Sequence, residues 1–275
     1  MSIGINPKDV LAVARELKAG AREERPIVVA GQAGLAAALR LELVRDGVAS
    51  AVREGGPIQA AAALVYVLVG AASAEDVAVL REAERSRVPA VAVIASPAGE
   101  RTPDPPYVLA GRVVRVPSGS GFPVDKIAHA LAQGLGDRGT AVAARLPVLR
   151  DHVVEELIRG YSRQNALLGA GGGLRRASLP LLTLNQVRLF LRIADAYGFE
   201  IHRQRIPEVL GVIAGGMGFR ALARSAIGYV PFAGWAVRGG VAYGGTRAIG
   251  EAAKRYFERR APVTRVPGDR AVFPR

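Results

Sequence analysis

Cysteine is absent from the 275-residue chain, which excludes disulfide bonds, thiolate metal sites and a cysteine nucleophile. Histidine is scarce, and the three present, His129, His152 and His202, are far apart in the sequence. A histidine-rich metal site is therefore not expected. Neither a metal nor a cofactor is predicted from these absences.

A secretory leader pattern is also lacking, because Met1 to Asn6 run into a charged helical segment instead of an apolar one. The longest uncharged run, Gly55 to Ala74, reaches 20 residues, but its first half is rich in Gly, Pro, Gln and Ala. Its centre, Leu64 to Val69, is more typical of a buried parallel strand than of a membrane span. These features predict a cytoplasmic protein, with a position at the inner face of the membrane left open.

Acidic side chains become scarce in the second half of the chain. Residues 1–137 carry 15 Lys and Arg against 15 Asp and Glu, whereas residues 138–275 carry 22 against 9 and hold the whole net charge of +13. This asymmetry predicts two domains with different partners. The partner of the basic half should be a phospholipid surface, a nucleic acid or an acidic protein. We place an α/β domain at 1–138, a basic helical domain at 139–260 and an extended tail at 261–275.

Short apolar runs alternate with helical segments throughout the first half. The predicted strands are 27–30, 48–53, 64–69, 90–94 and 111–116, and the predicted helices are 7–20, 35–46, 74–87 and 123–135. This alternation predicts a small Rossmann-like α/β domain with a parallel sheet of about five strands covered on both faces.

The turn after the first predicted strand is where such a fold binds phosphate. Its glycines are Gly31 and Gly34, and alanine occupies positions 36, 37 and 38. A GxxxxGK[ST] loop beginning at Gly31 would need glycine, lysine and serine or threonine at those three positions. The loop is therefore degenerate, and neither nucleotide binding nor catalysis is expected from it. A tight strand-to-helix turn without a ligand explains the sequence.

Later loops of the first half also lack the sequence motifs of a GTPase. The fourth predicted strand runs into Ala95-Ser96-Pro97-Ala98, where an Era-like GTPase would carry its Asn-Lys-x-Asp guanine-binding motif. Only Val116 to Gly121 is similar to the last base-contacting loop of a GTPase. The segment from Asp46 to Leu64 is too short for both switch regions. The order and spacing resemble a shrunken, degenerate GTPase domain, although ordinary α/β stacking explains the glycines of the last loop equally well.

The second half lacks a strand pattern and predicts helices. A single helix is expected from Ala141 to about Leu168, and Thr183 to Gln186 is a capping-box sequence for a helix ending at Tyr197 and Gly198. A helical hairpin follows, with arms from Pro207 to about Gly228 and from Gly234 to about Phe257. Its arms carry small residues four positions apart, which predicts close helix packing at Gly211, Gly215, Gly240 and Gly244.

Several motifs of this half resemble the bacterial YcjF-like family, domain of unknown function 697. They are Leu184-Asn185-Gln186-Val187-Arg188, Ala194 to Gly198, Pro231 to Gly234 and Tyr243 to Gly250. The resemblance covers roughly residues 150–258. Members of that family are often attached to Era-like GTPase domains, and some are membrane proteins. The resemblance implies a helical domain beside a GTPase-like one, and it implies no catalytic residue.

The predicted hairpin carries aromatic residues at its tip and arginines around it. The tip holds Tyr229, Phe232 and Trp235, and the flanking basic residues are Arg220, Arg224, Arg238 and Arg247. One interpretation is a non-catalytic, membrane-associated scaffold or adaptor with a pseudo-GTPase domain, whose tip enters an anionic interface. An interpretation of equal weight places the aromatic residues inside the helical domain, with the arginines solvated.

The main alternative function is a soluble interaction module that binds a partner GTPase, or a second copy of the chain, through the glycine-lined hairpin. Nucleic-acid binding rests on charge alone, because the chain has no Cys/His finger and no recognisable recognition helix. An enzyme is not expected, since no serine lies in a nucleophile-elbow sequence and carboxylates are few in the basic half.

Overall fold

A computed structural model describes residues 24–100, 102–170, 178–200, 235–260 and 271–272 of the chain. The described residues divide into two compact units, 24–153 and the residues from Val154 onward. The predicted helix 7–20 and the first arm of the predicted hairpin lie outside the described residues.

The first unit contains a five-stranded parallel sheet with interleaved helices, which confirms the predicted fold class. Its strands run in the order β2-β1-β3-β4-β5. They are β1 Ile27–Gly31, β2 Val52–Glu54, β3 Ala63–Val69, β4 Ala90–Ser96 and β5 Val113–Pro117. The helices are α1 Ala33–Leu43, α2 Ala74–Arg85, α3 Val124–Leu135 and α4 Gly139–Arg145. This order places the topological switch point, where doubly wound folds bind ligands, at the carboxyl ends of β1 and β3.

The central strands form the core of this unit. All seven residues of β4 and six of the seven in β3 are buried, as expected for parallel strands covered on both faces. Leu64 and Ile94 pack with Leu80 of α2 in one apolar cluster. The alternate residues of the same strands, such as Val65 and Val93, are also fully buried, so the opposite face of the sheet is covered too.

The predicted helix from Ala141 to Leu168 is wrong as a single element. The chain instead forms α4, a 3-10 turn at Pro147–Leu149 and a long helix, α5, at Arg150–Ala170. Pro147 ends α4 because proline has no amide hydrogen for the helix ladder and disfavours helical geometry in the residue before it.

The predicted domain boundary at 138/139 also differs from the division between Val153 and Val154. Arg145 explains the difference, because its guanidinium donates to the carbonyls of Glu24 and Arg25 at 3.0 and 2.9 Å. Its own carbonyl accepts from the Val48 amide at 2.9 Å. The α4 segment therefore belongs to the α/β unit.

The second unit is built from long helices. It contains the rest of α5, α6 at Ser178–Ala196 and α7 at Trp235–Glu258, with a short parallel pair formed by β6 at Phe199–Glu200 and β7 at Ala271–Val272. The Phe257 ring of α7 lies 5.0 Å from that of Phe190 and 5.3 Å from that of Phe199, between ring centroids. These aromatic contacts join α6 and α7, and the β6 pairing brings part of the predicted tail to the helical unit.

The capping-box interpretation of Thr183 to Gln186 is wrong, because α6 already begins at Ser178. Pro180 lies in the first turn of this helix, where the missing amide hydrogen costs no intrahelical hydrogen bond. The spacing of Leu184, Val187, Leu191 and Ala194 predicts the buried stripe of this helix. The last three are buried, whereas Leu184 is only half-buried. Helix α7 matches the predicted second arm of the hairpin closely.

Candidate functional site: the turn after β1 and the basic helix α7

Gly31 is required by the neighbouring strand. Its φ of +103° favours glycine, and a Cβ atom placed on it would lie 2.0 Å from the carbonyl oxygen of Val67 in β3. The close approach of two strands therefore accounts for Gly31 without a phosphate. Gly34 differs, because an added Cβ would meet only the Gln32 side chain, at 3.7 Å.

The side chain of Gln32 closes the start of α1. Its Oε1 accepts a hydrogen bond from the Leu35 amide at 2.7 Å. The Gln32 carbonyl accepts from the Ala36 amide at 2.8 Å, and the Gln32 amide donates to Val67 at 3.0 Å. A phosphate-binding turn presents such amides to its ligand. Here three of them are already used within the chain.

The alanines that follow bring no charge to the turn. Ala36 is buried, Ala37 is partly buried and Ala38 is exposed. No lysine or hydroxyl is present among residues 31–38 to hold a phosphate or a magnesium ion. In the turn at the switch point, Gln32 thus accepts hydrogen bonds from the amides of Leu35 and Ala36, and the alanines that follow contribute only methyl groups.

A polar cluster beside β3 serves the start of α2. The Asp76 carboxylate accepts from the Ser73 amide at 2.8 Å and from the Ser73 hydroxyl at 2.7 Å, and the Tyr66 hydroxyl donates to it at 2.8 Å. Burial raises the pKa of Tyr66 to about 12, and the hydrogen bond to Asp76 adds to the shift. For Asp76, burial acts in the opposite direction to the hydrogen bonds from Ser73 and Tyr66, which prevail and lower its pKa. This carboxylate belongs to the capping box of α2, with Ser73 as the N-cap, and is not an available base.

Two of the three histidines lie close together in the first unit. The ring centroids of His129 and His152 are 5.6 Å apart, and His152 Nε2 lies 2.9 Å from an Asp125 carboxylate oxygen. Among the described residues, no group of three His, Asp or Glu side chains is arranged to hold a metal ion. His202 lies outside the described residues.

The predicted anionic-surface residues are described only in part. Arg247 is exposed on α7, with its guanidinium 3.4 Å from the Glu251 carboxylate one turn further on. Trp235 and Arg238 lie in the first turn of α7. The remaining predicted contact residues lie outside the described ranges: Arg220, Arg224, Tyr229 and Phe232.

Two glycines of α7, Gly239 and Gly250, pack closely against α5 in the described residues. A Cβ on Gly239 would lie 3.1 Å from the Ala166 carbonyl, and one on Gly250 would lie 2.6 Å from Ile158. By contrast, no atom of a described residue lies within 4 Å of an added Cβ at Gly240 or Gly244. Their predicted partners, Gly211 and Gly215, lie outside the described residues, so that pairing stays a prediction.

Three polar side chains form a hydrogen-bonded chain across the helices of the second unit. Asn165 of α5 donates through Nδ2 to the Thr246 hydroxyl of α7 at 2.8 Å, and Asn185 of α6 donates to the Asn165 carbonyl oxygen at 2.9 Å. Asn165 and Thr246 are fully buried. We did not predict this contact from the sequence.

None of the helices in the described part of the chain combines the length and apolar composition needed to cross a bilayer. Comparison with protein-family models, curated proteins and solved structures finds no match for this chain.

Proposed function

We propose that this protein is a non-catalytic scaffold or adaptor that has a pseudo-GTPase domain and associates with an anionic membrane surface. The observation that carries the first part is the Gln32 cap, which uses the amides of the turn after β1 for the fold itself. The alanines at 36–38 remove the lysine and hydroxyl that nucleotide chemistry would need.

The anionic partner follows from the charge distribution. The second half of the chain carries 22 basic against 9 acidic side chains, and no acid occurs from Val209 to Gly250. Arg247 is exposed on α7, which also begins with Trp235 and carries Arg238. Basic residues next to an aromatic group favour the headgroup region of an acidic bilayer. The resemblance to the YcjF-like family, some of whose members are membrane proteins, supports the same proposal.

Calorimetric titration tests the pseudo-GTPase part. We expect GTP, GDP and ATP, each with magnesium, to give no heat above buffer dilution, while an active GTPase in the same buffers serves as the positive control. A micromolar dissociation constant for any of these nucleotides at the turn after β1 would overturn this part. Replacing Gln32 with alanine frees the Leu35 amide. If nucleotide binding is detected and this variant changes its dissociation constant, the nucleotide binds at that turn.

Liposome flotation of the full chain tests the membrane part. The protein should float with vesicles that contain phosphatidylglycerol, remain behind with pure phosphatidylcholine, and dissociate as salt is raised. Each arginine near such a surface contributes ~1 kcal/mol, so Arg238→Gln with Arg247→Gln should weaken binding about thirtyfold. The matched control replaces Arg45 and Arg85, two exposed arginines of the first unit, with glutamine.

A soluble interaction module is the second candidate, and one observation favours it. Gly240 and Gly244 are exposed one turn apart on α7, and within the described residues nothing approaches the space that their Cβ atoms would occupy. A helix of a partner GTPase or of a second copy could approach this face closely. Failure to bind acidic vesicles at low salt, together with self-association that Gly240→Leu abolishes in sedimentation, would favour this candidate over the membrane scaffold.

A further inference from the structure

A cavity of about 490 Å³ opens at the amino end of β4 in the first unit. The side chains that matter for its chemistry are Glu84, Arg87, Tyr107, Leu109 and Arg112, and Gly134 forms part of its wall. All five strands are parallel. This cavity therefore lies at the amino ends of the strands, whereas the turn after β1 lies at their carboxyl ends. It is therefore separate from the degenerate phosphate site.

Arg112 brings an uncompensated charge to this cavity. Its side chain is partly buried, and burial lowers the pKa of its guanidinium. Among the described residues the only hydrogen bond of its guanidinium is a long one, 3.4 Å from Nη2 to the Gln133 carbonyl, and no carboxylate lies within ion-pair distance. A guanidinium has five N–H donors, so most of those of Arg112 are left to solvent or to a ligand. An oxyanion from solution would supply the missing partner.

Arg87 and Tyr107 line the same cavity from strained backbone positions. Their φ angles are 54° and 66°, in the left-handed region that favours glycine. Arg87 follows the end of α2, where the Val88 amide returns to the Ala83 carbonyl at 2.9 Å, and glycine is the usual residue at such a position. Both positions keep large side chains at an energetic cost, which points to a use for them in the cavity.

The remaining wall gives the cavity an apolar side and a defined width. Leu109 is 65 % exposed and lies beside Val108 in the lining. A Cβ on Gly134 would lie 2.9 Å from the Pro89 Cβ and 3.4 Å from the Arg112 Cζ, so glycine leaves room for the guanidinium. Tyr107 is held in place by Arg81, whose Nε donates to its hydroxyl at 3.1 Å.

We propose that this cavity binds a small organic anion whose carboxylate or phosphate group lies between Arg87 and Arg112 and whose apolar part packs on Leu109. Guanidinium groups suit such planar or tetrahedral oxyanions because they donate two hydrogen bonds at once. Glu84 lies in the same cavity and repels anionic groups, so ligands with one oxyanion group are preferred over ligands with two.

The first test titrates the full chain with anilinonaphthalene sulfonate, a fluorescent aromatic anion, and follows competition by benzoate and phenyl phosphate. Arg112→Gln should raise the dissociation constant of the competitors about tenfold, the size of a lost charge-assisted contact. Arg85→Gln is the matched control: it removes the same charge from the end of α2 but does not line the cavity, and it should leave binding unchanged. Equal effects of Arg112→Gln and Arg85→Gln would overturn the proposal.

Two further variants keep the test decisive if Arg112→Gln folds poorly. Leu109→Ser alters an exposed side chain and should weaken binding severalfold without a change in melting temperature. Glu84→Gln should strengthen anion binding about twofold, because it removes a repulsive charge. Weaker anion binding by Glu84→Gln, or no effect of Leu109→Ser, would contradict the proposed placement of the ligand.

The two competitors identify the oxyanion. Displacement of the dye by benzoate alone assigns a carboxylate ligand, and displacement by phenyl phosphate assigns a phosphate ligand. Failure of both to displace it overturns the proposal. Binding that depends on Arg112 but not on Gln32 separates this site from any nucleotide binding at the turn after β1, so the two proposals can fail independently.

Discussion

The two units specify their packing by different means. In the first unit, β3 and β4 are joined along their length by backbone hydrogen bonds, and their buried side chains are apolar apart from the Tyr66 hydroxyl and Ser96. In the second unit, helices α5, α6 and α7 satisfy their backbone groups internally, and buried Asn165 connects all three. A sheet fixes its register through the backbone, whereas helices slide more readily unless side chains fix them. We infer that Asn165 performs this role in the helical unit.

Fluorescence and circular dichroism can follow the two units separately. The only tryptophan, Trp235, belongs to α7 of the second unit. Its emission therefore reports on the helical unit, while far-ultraviolet circular dichroism reports on both units. Urea denaturation of variants altered in one unit, followed by both signals, therefore shows which unit a substitution destabilises.

The largest effect is expected from Gly31→Ala in the first unit. A methyl group would overlap the Val67 carbonyl and would occupy a left-handed conformation, so the free energy of unfolding should fall by ~3 kcal/mol or more. Gly34→Ala is the matched control in the same turn and should change it by less than ~1 kcal/mol. Equal effects on the circular dichroism transition would mean that β1 and β3 do not approach as closely as described.

The next effect is expected from Asn165→Ala in the second unit. The change leaves the Asn185 amide and the Thr246 hydroxyl without their partner, which should lower the free energy of unfolding by ~2–3 kcal/mol. Gln164→Ala alters an exposed neighbour on α5 and should change it by less than ~0.5 kcal/mol. Tryptophan emission measures both, and similar values would show that the polar chain does not stabilise the helical unit.

A pH effect should be confined to the first unit. The pKa of Tyr66 is about 12 in the folded protein against an ordinary value of 10.0, so the unfolded chain loses this proton first. The resulting stability is complete below pH 10, is lost as the pH rises towards 12, and amounts to ~2 kcal/mol. The variant Tyr66→Phe should lack this part of the pH dependence. An identical alkaline profile for the variant would contradict the buried hydroxyl contact with Asp76.

The smallest effect is a gain in stability from Arg87→Gly. Glycine relieves the left-handed strain after α2 and should raise the free energy of unfolding by ~1 kcal/mol. Arg85→Gly, inside the last turn of α2, should lower it instead, because helical glycine is unfavourable. Opposite signs in the circular dichroism transition would support a functional reason for Arg87, and destabilisation by Arg87→Gly would argue against strain there.

The sheet was predictable because its central strands are continuous apolar runs of a length that suits strands, bounded by glycine and by helix caps such as Ser73. The helix boundaries of the second half were harder to predict from the sequence. The apolar spacing of Val142, Leu146 and Leu149 continues across Pro147. Periodicity alone therefore did not indicate that the helix ends before this proline. Similarly, the sequence from Thr183 to Gln186 matches a capping box, but α6 begins five residues earlier, at Ser178, so these residues lie inside the helix.

The site was predictable only where the relevant information is local. The missing lysine and hydroxyl after Gly31 are visible in the sequence, but the Gln32 cap depends on turn geometry. The contact between Asn165 and Thr246 joins residues 81 positions apart, and the cavity joins Arg112 to Arg87 and Gly134. No pattern of spacing along the chain indicates contacts that only the tertiary fold creates.

The edges of the five-stranded sheet bear on how this protein behaves at high concentration. β2 is only three residues long and ends at the left-handed glycines Gly55 and Gly56. β5 presents the ion-paired Arg115 to solvent and ends at Pro117, which has no amide hydrogen to donate. Short, charged and proline-terminated edges resist the addition of a strand from another molecule. Both edge strands, β2 and β5, therefore disfavour edge-to-edge aggregation, while the apolar central strands stay buried.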